Sequence, residues 1–192
     1  QKRKSQVLTV GDVHPGGNPH YSYDPLRMGD LAGVIAARLS QLDPSHAASY
    51  AASAKALKQE LQAIAKAARQ KFDALPAKAK RVVEYHKSFA YLFETLGIEV
   101  AARVEPKPGV APSPGQVAQV VSTIKREGIQ VLVQEVYNPG RVSKTIAKIT
   151  GASHVVLPGG TEFTQNQTYV QRIQQTIDTL YEACKRGVSQ DG

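Results

Sequence analysis

The sequence predicts an α/β fold: a C-terminal lobe built on a four-stranded parallel sheet flanked by helices, preceded by a long helix and the end of another lobe. Three observations predict it. Over the last 115 or so residues, short apolar runs rich in Val and Ile alternate four times with segments whose apolar residues recur every three or four positions. Strand-helix-strand order of this kind makes the strands parallel and puts the crossover helices on the sheet faces. Upstream, an Ala-rich stretch from Asp43 to Pro76 carries one unbroken apolar stripe.

In order, residues 1–42 offer one strand-like run, Gln6 to Val10, and one helix opening at Asp24-Pro25, which is too little for a domain. The stripe Tyr50, Ala54, Leu57, Leu61, Ile64, Ala68 and Phe72 predicts a single helix over 43–76. Roughly thirty residues at 1.5 Å each would span about 45 Å, the length of a strut between two lobes. The lobe at 77–192 then begins with Arg81-Val82-Val83-Glu84-Tyr85, followed by a helix from Ser88 to Leu96 that Gly97 stops. A second strand runs from Glu99 to Val104. After the Pro-rich loop Glu105 to Pro112, Ser113-Pro114 supplies an N-cap and first-turn proline for a helix bearing Val117, Val120, Val121 and Ile124, ended by Gly128. A third strand is expected from Ile129 to Gln134. Asn138-Pro139 opens a helix carrying Val142, Ile146 and Ile149 before Gly151, and His154 to Leu157 is the fourth strand. The last helix, about Thr168 to Arg186, spaces Val170, Ile173, Ile177, Leu180 and Cys184 on one face and meets Gly187.

A 192-residue chain with 42% hydrophobic content can bury a core, so it is not a disordered tail. Its charge of +8 would permit a polyanion partner, but the basic residues are scattered, often beside acidic ones, and no aromatics interleave with a Lys/Arg cluster; no nucleic-acid partner is expected. The single Cys184 excludes an intrachain disulfide framework and a cysteine-based zinc cluster. No apolar run is long enough to cross a bilayer, and no apolar leader stands at the N-terminus, so an export signal is expected upstream of this chain.

Ligands of open parallel sheets gather beyond the carboxyl ends of the strands. His14 and His20 follow the first strand-like run, His86 follows Val82 to Tyr85, Glu135 closes Val131 to Gln134, and Glu162 follows Leu157-Pro158-Gly159-Gly160-Thr161. Imidazole with carboxylate suits zinc first, with manganese or iron behind it. His46 and His154 are assigned to structure, the latter because it opens a strand at the other sheet edge. No Walker loop, Gly-x-Ser-x-Gly elbow or His-Glu-x-x-His occurs.

The string Asn18-Pro19-His20-Tyr21-Ser22-Tyr23-Asp24-Pro25 resembles the asparagine-proline-histidine to aspartate-proline signature of metal-specific solute-binding proteins of ABC importers, the zinc and manganese receptors. Gln41-Leu42-Asp43-Pro44, the aromatic-rich Tyr85-His86-Lys87-Ser88-Phe89-Ala90-Tyr91-Leu92-Phe93, the loop Glu105 to Pro114 and Gln134-Glu135-Val136-Tyr137 extend the resemblance through nearly the whole chain. It implies a two-lobed extracytoplasmic or periplasmic receptor whose lobes are joined by a backbone helix and which passes its metal to an ABC permease. By position, His20 corresponds to the second metal ligand and His86 to the third. The first belongs to an N-terminal lobe of which this chain carries only a remnant. Glu162, or else Glu135 or water, is expected as the fourth.

The resulting expectation is a transport protein, not an enzyme, that binds zinc weakly through this half-site and releases it as the imidazoles protonate below about pH 6. Two alternatives stand beside it: a metal-dependent hydrolase with Glu135 as its base, and a basic nucleic-acid module. Apolar surface left by the missing lobe would further favour a homodimer.

Overall fold

The computed structural model describes residues 17–161 and 165–189. The strand expected at Gln6–Val10, His14 and Glu162 lie outside these residues. Helix α1 (Pro25–Leu42) starts where the sequence expects it: the Asp24 carboxylate accepts from the Leu26 N–H at 2.9 Å, and Pro25 occupies the first turn. The long helix is interrupted near its start. A 3-10 turn at Pro44–His46 precedes α2 (Ala47–Asp73), whose 27 residues span about 40 Å. Ser45, His46 and Tyr50 all bond the Asp43 carboxylate, and this knot makes the bend between α1 and α2.

The two helices form an antiparallel hairpin in which small residues allow close approach; a Cβ on Gly29 would lie 3.2 Å from Lys58 Cα. The first half of α2 therefore packs on α1, and only its second half, through Leu61, Ala65, Ala68 and Phe72, is buried. The outer side of α1 leaves Val34 (66% exposed), Ile35 (51%) and Leu42 (67%) in solvent.

The remaining elements are β1 (Arg81–Glu84), α3 (Ala90–Leu96), β2 (Glu99–Arg103), α4 (Pro114–Glu127), β3 (Val131–Glu135), α5 (Gly140–Thr150), β4 (Ser153–Leu157) and α6 (Tyr169–Ser189). All strand pairs are parallel, in the order β2-β1-β3-β4. The period-2 alternation of side chains divides the core. Val82, Val131, Val133, Val155 and Leu157 face one layer with Phe72, Leu92, Phe93, Ile173, Ile177 and Leu180 from α2, α3 and α6; Val83 and Leu132 face the other, with Val120, Ile124 and Ile146 from α4 and α5. Cys184 is buried in the first layer.

Several boundaries differ from expectation. The third strand begins at Val131 because the Ile129 N–H bonds back to Ile124 O and closes α4 around Gly128, whose φ is +61°. It continues through Glu135. Ser88 precedes α3, since its N–H bonds to His86 O and its hydroxyl to Glu135. Helix α5 begins at Gly140, after Pro139. Gly187 does not end α6: a Cβ there would fall 2.8 Å from that of Gln130, so the glycine serves close packing of helix against sheet.

A candidate metal centre at the sheet edge

Between β1 and β3 the chain reverses its direction of travel across the sheet, and a crevice opens beyond the carboxyl ends of these two strands. His86 leaves β1 in the turn leading to α3. His20 enters from the segment ahead of α1. The two rings meet edge to face, with centroids 5.1 Å apart and planes at 69°.

Each imidazole is held by its Nδ1. Asn18 Nδ2 donates to Lys87 O at 3.0 Å and its Oδ1 accepts from the His20 backbone N–H at 2.9 Å, which fixes the amide's orientation. The same Oδ1 lies 2.7 Å from His20 Nδ1, so that nitrogen is the donor. His86 Nδ1 donates to Glu105 Oε2, and the other carboxylate oxygen accepts from the Gly109 N–H at 2.8 Å. Both rings are thereby set with the proton on Nδ1 and the lone pair on Nε2, the arrangement that a carboxylate or amide behind a metal-binding histidine enforces. Side-chain exposures of 15% for His86 and 10% for Glu105 keep solvent from screening that contact.

Glu135 reaches the same crevice from the end of β3. Its Oε1 accepts from the Tyr23 hydroxyl at 2.6 Å, and its Oε2 from the buried Ser88 hydroxyl. Burial first, then the hydrogen bond and charge of Glu135, push the Tyr23 phenol above its usual range, so it remains a neutral donor. The segment bearing His20 is fastened along its length: Tyr91 Oη donates to Asn18 O at 3.0 Å, Arg172 Nη2 to Ser22 O at 2.8 Å, and the Tyr23 ring packs on Phe89 at 4.8 Å. Arg27 lies 4.2 Å from the centre of the Tyr91 ring and pairs with Asp24 at 2.9 Å.

Glu84, two positions before His86, is fully buried and tied across the sheet to Arg103 Nε at 2.5 Å. Burial raises its carboxyl to about 7, against the opposing charge of Arg103. On the rim, Tyr137 is 76% exposed and lies over Gly159; a Cβ at that glycine would overlap the ring, 1.9 Å from Cε2. The Gly159-Gly160 pair makes room for an aromatic cover.

Of the residues expected at the site, the fold thus brings His20 and His86 together and places Glu135 at the end of β3 on the same sheet edge, with both carboxylate oxygens engaged by hydroxyls. Glu162 and His14 lie outside the described residues. His46 sits in the α1–α2 turn, bonded to Asp43 at 2.7 Å, and His154 lies near the start of β4, where burial and then Lys144 lower its pKa. Among the described residues no group of three or more His, Cys, Asp or Glu is placed to hold a metal. The sequence alone assigns no individual role to Asn18, Glu105, Ser88 or Tyr91. Glu105 carried a usable signal: it follows the end of β2, which is the neighbour of β1 in a parallel sheet, and therefore stands beside the residue that follows β1.

Comparison with known proteins agrees with this architecture. The chain is 28% identical over 169 residues to the high-affinity zinc uptake system protein ZnuA of Brucella suis, an alignment covering 87% of this chain and 50% of that protein. It spans about half the length of the curated relatives it matches first. Among solved structures, a mutant of the laminin-binding adhesin Lmb of Streptococcus agalactiae superposes with a TM-score of 0.74 at 30% identity, covering 92% of this chain and 67% of the other. The Pseudomonas aeruginosa solute-binding protein FpvC, solved in complex with Mn2+, gives 0.73 at 28% identity over 88% and 64%. Residues 2–183 match the family described as zinc-uptake complex component A, periplasmic, and the chain belongs to that family.

Proposed function

We propose that this chain is the metal-holding C-terminal portion of an extracytoplasmic solute-binding protein that captures a divalent transition metal, zinc foremost, and hands it to an ABC permease. The observation that carries the proposal is the pair of imidazoles. Two histidines on one tetrahedral zinc, with about 2.0 Å from nitrogen to metal and about 1.2 Å more to each ring centre, have centroids about 5 Å apart. His20 and His86 stand at 5.1 Å with Nε2 as the lone-pair nitrogen of each. In this reading they are the two ligands the chain supplies from its described residues, and Glu162 or a donor from elsewhere in the whole protein completes the set.

Glu135 serves as the organiser of the crevice, because hydroxyls of Tyr23 and Ser88 already occupy both its oxygens. For the same reason nothing favours it as the base of a hydrolase. Nitrogen donors favour zinc over manganese or iron, and the printed names of relatives include both a zinc uptake protein and an iron-binding one. The exposed apolar side of α1 supports the expectation that an isolated chain self-associates.

The test is zinc titration calorimetry at pH 7.5 and low salt on the chain and on His20→Ala and His86→Ala. One zinc per chain, lost in both variants, is the expected result. Zinc binding that survives both substitutions would remove the two histidines from the site.

A further inference from the structure

Cations that look scattered along the chain are gathered by the fold onto one side. Between Glu105 and Glu162 the sequence holds six Lys and Arg residues but only two carboxylates, Glu127 and Glu135. Glu135 is buried with hydroxyls on both oxygens, and Glu127 is paired with Arg81 and Arg126. This stretch builds α4 and α5, which cover the sheet face of Val83 and Leu132.

The helical period sets the outer surface of α5. Ser143 and Ile146 are buried against the sheet, so Arg141, Lys144, Thr145 and Lys148 share the outward face, and all four are exposed. Burial and then the charge of Lys144 lower the pKa of His154, which sets Lys144 beside β4, the open edge strand. Lys125 is exposed in the last turn of neighbouring α4. None of Lys125, Arg141, Lys144 and Lys148 forms an ion pair with a described residue. The opposite layer differs: there Lys58 pairs with Asp30, Arg69 with Asp73 and Lys71 with Asp178.

Apolar residues border these cations. Ile149 is exposed in the last turn of α5, Val156 on β4, and Val136 and Tyr137 just ahead of α5. Attraction of a soluble polyanion gains nothing from them. Lys and Arg flanked by Tyr and branched aliphatics suit a surface that is anionic at its plane and apolar just beneath. No helix among the described residues is long and apolar enough to cross a membrane, so such contact is peripheral.

We propose that the outward face of α5, formed by Arg141, Lys144 and Lys148 with Ile149 and Val156 at its flanks, docks on an anionic lipid surface. The cations meet headgroup phosphates, and the aliphatic side chains enter the boundary of the acyl chains. The docking does not depend on the metal reading, because none of these five residues belongs to the crevice of His20 and His86.

Co-sedimentation of the whole chain with vesicles of phosphatidylcholine containing about a third phosphatidylglycerol tests it, with phosphatidylcholine alone as the reference. The native chain should bind the anionic vesicles and not the neutral ones, and should lose that binding as NaCl rises from about 0.05 M to about 0.5 M. At about fivefold per cation, the triple variant Arg141→Gln, Lys144→Gln, Lys148→Gln should weaken partitioning about a hundredfold. Ile149→Ser should weaken it about fivefold, for roughly 40 Å² of apolar surface no longer taken out of water. Lys55→Gln, Lys66→Gln, Lys185→Gln together lower the net charge equally but lie on other faces, and should change partitioning by less than about threefold. Equal loss in the two triple variants would mean that net charge alone attracts the chain, and a native chain that ignores anionic vesicles would equally overturn the docking face. Undiminished binding by Ile149→Ser would overturn it too and assign the face to a soluble polyanion.

Discussion

Replacing Glu105 with glutamine tests whether the residue behind His86 governs the metal. The native carboxylate has two acceptor oxygens, one for the Gly109 N–H and one for His86 Nδ1–H. Glutamine keeps its volume but has a single acceptor, and its other end is a donor. If the amide oxygen stays with Gly109, the NH2 group faces His86 Nδ1 and selects the opposite tautomer, which puts the proton on the nitrogen a metal would need. If the oxygen turns to His86, the NH2 group meets the Gly109 N–H and the loop loses its anchor. Either outcome also removes a negative charge from a contact whose partners are 10% and 15% exposed. Losses on removing such a partner run from about 10- to 100-fold in metal affinity, and the forced choice places Glu105→Gln near the upper end, about 2.7 kcal/mol. Competition with a chromophoric zinc chelator at pH 7.5 measures it, with circular dichroism as the check on folding. A folded Glu105→Gln that binds within about threefold of the native chain, while His86→Ala does not bind, would refute the tautomer argument.

Three further outcomes are expected. Tyr23→Phe leaves Glu135 Oε1 buried without its 2.6 Å donor and should destabilise the chain by about 1–3 kcal/mol in urea denaturation; an unchanged midpoint would mean the carboxylate had found water. Burial, then Lys144, depress the pKa of His154, so the unfolded chain takes up a proton that the folded chain refuses. Stability from this group is present above about pH 6.5 and is lost as pH falls through the folded value, so His154→Gln should flatten the acid side of the stability profile, and parallel profiles would disprove the assignment. Light scattering at high concentration should show association that Ile35→Glu reverses, and a native chain that stays monomeric would exclude α1 as a self-association face.

How much of this was legible in the sequence depended on whether the controlling force was local. Asp24-Pro25 and Ser113-Pro114 announced helix starts because a cap needs only its next three residues, and the Val-rich strands fell where alternation put them. His20 and His86 could be placed on one sheet edge because the carboxyl ends of parallel strands share an edge. What failed involved partners far apart in the chain. Gly187 looked like a helix stop, but its role is set by Gln130 across the layer. That Tyr23, 112 positions away, donates to one oxygen of Glu135 is likewise visible only in the folded arrangement. The long helix reads as a strut between two lobes from its length and stripe, whereas the packing of its first half on the small residues of α1 is visible only in the fold.

The hydrogen bonds around residues 18–23 bear on how the proposed site would hold a metal. Asn18 is tied to Lys87 and Tyr91, Ser22 to Arg172, and Tyr23 to Glu135 and Pro158, so the segment carrying His20 is held to the same body as His86 on both sides of the histidine. The entropy of bringing the two imidazoles together is thus spent when the chain folds, before any metal would arrive. Such a pair binds with less ordering cost than two mobile side chains would, and its oxygen-held tautomers need no proton shuffle before the lone pairs can be used. If the pair holds metal as proposed, release would come from protonating the imidazoles, from withdrawing the other donors, or from loosening the segment itself. Of these, the last has a handle in this chain: Tyr91→Phe removes one tie to Asn18 without touching either ring, and faster zinc dissociation from that variant, at unchanged stability, is what a preassembled pair requires.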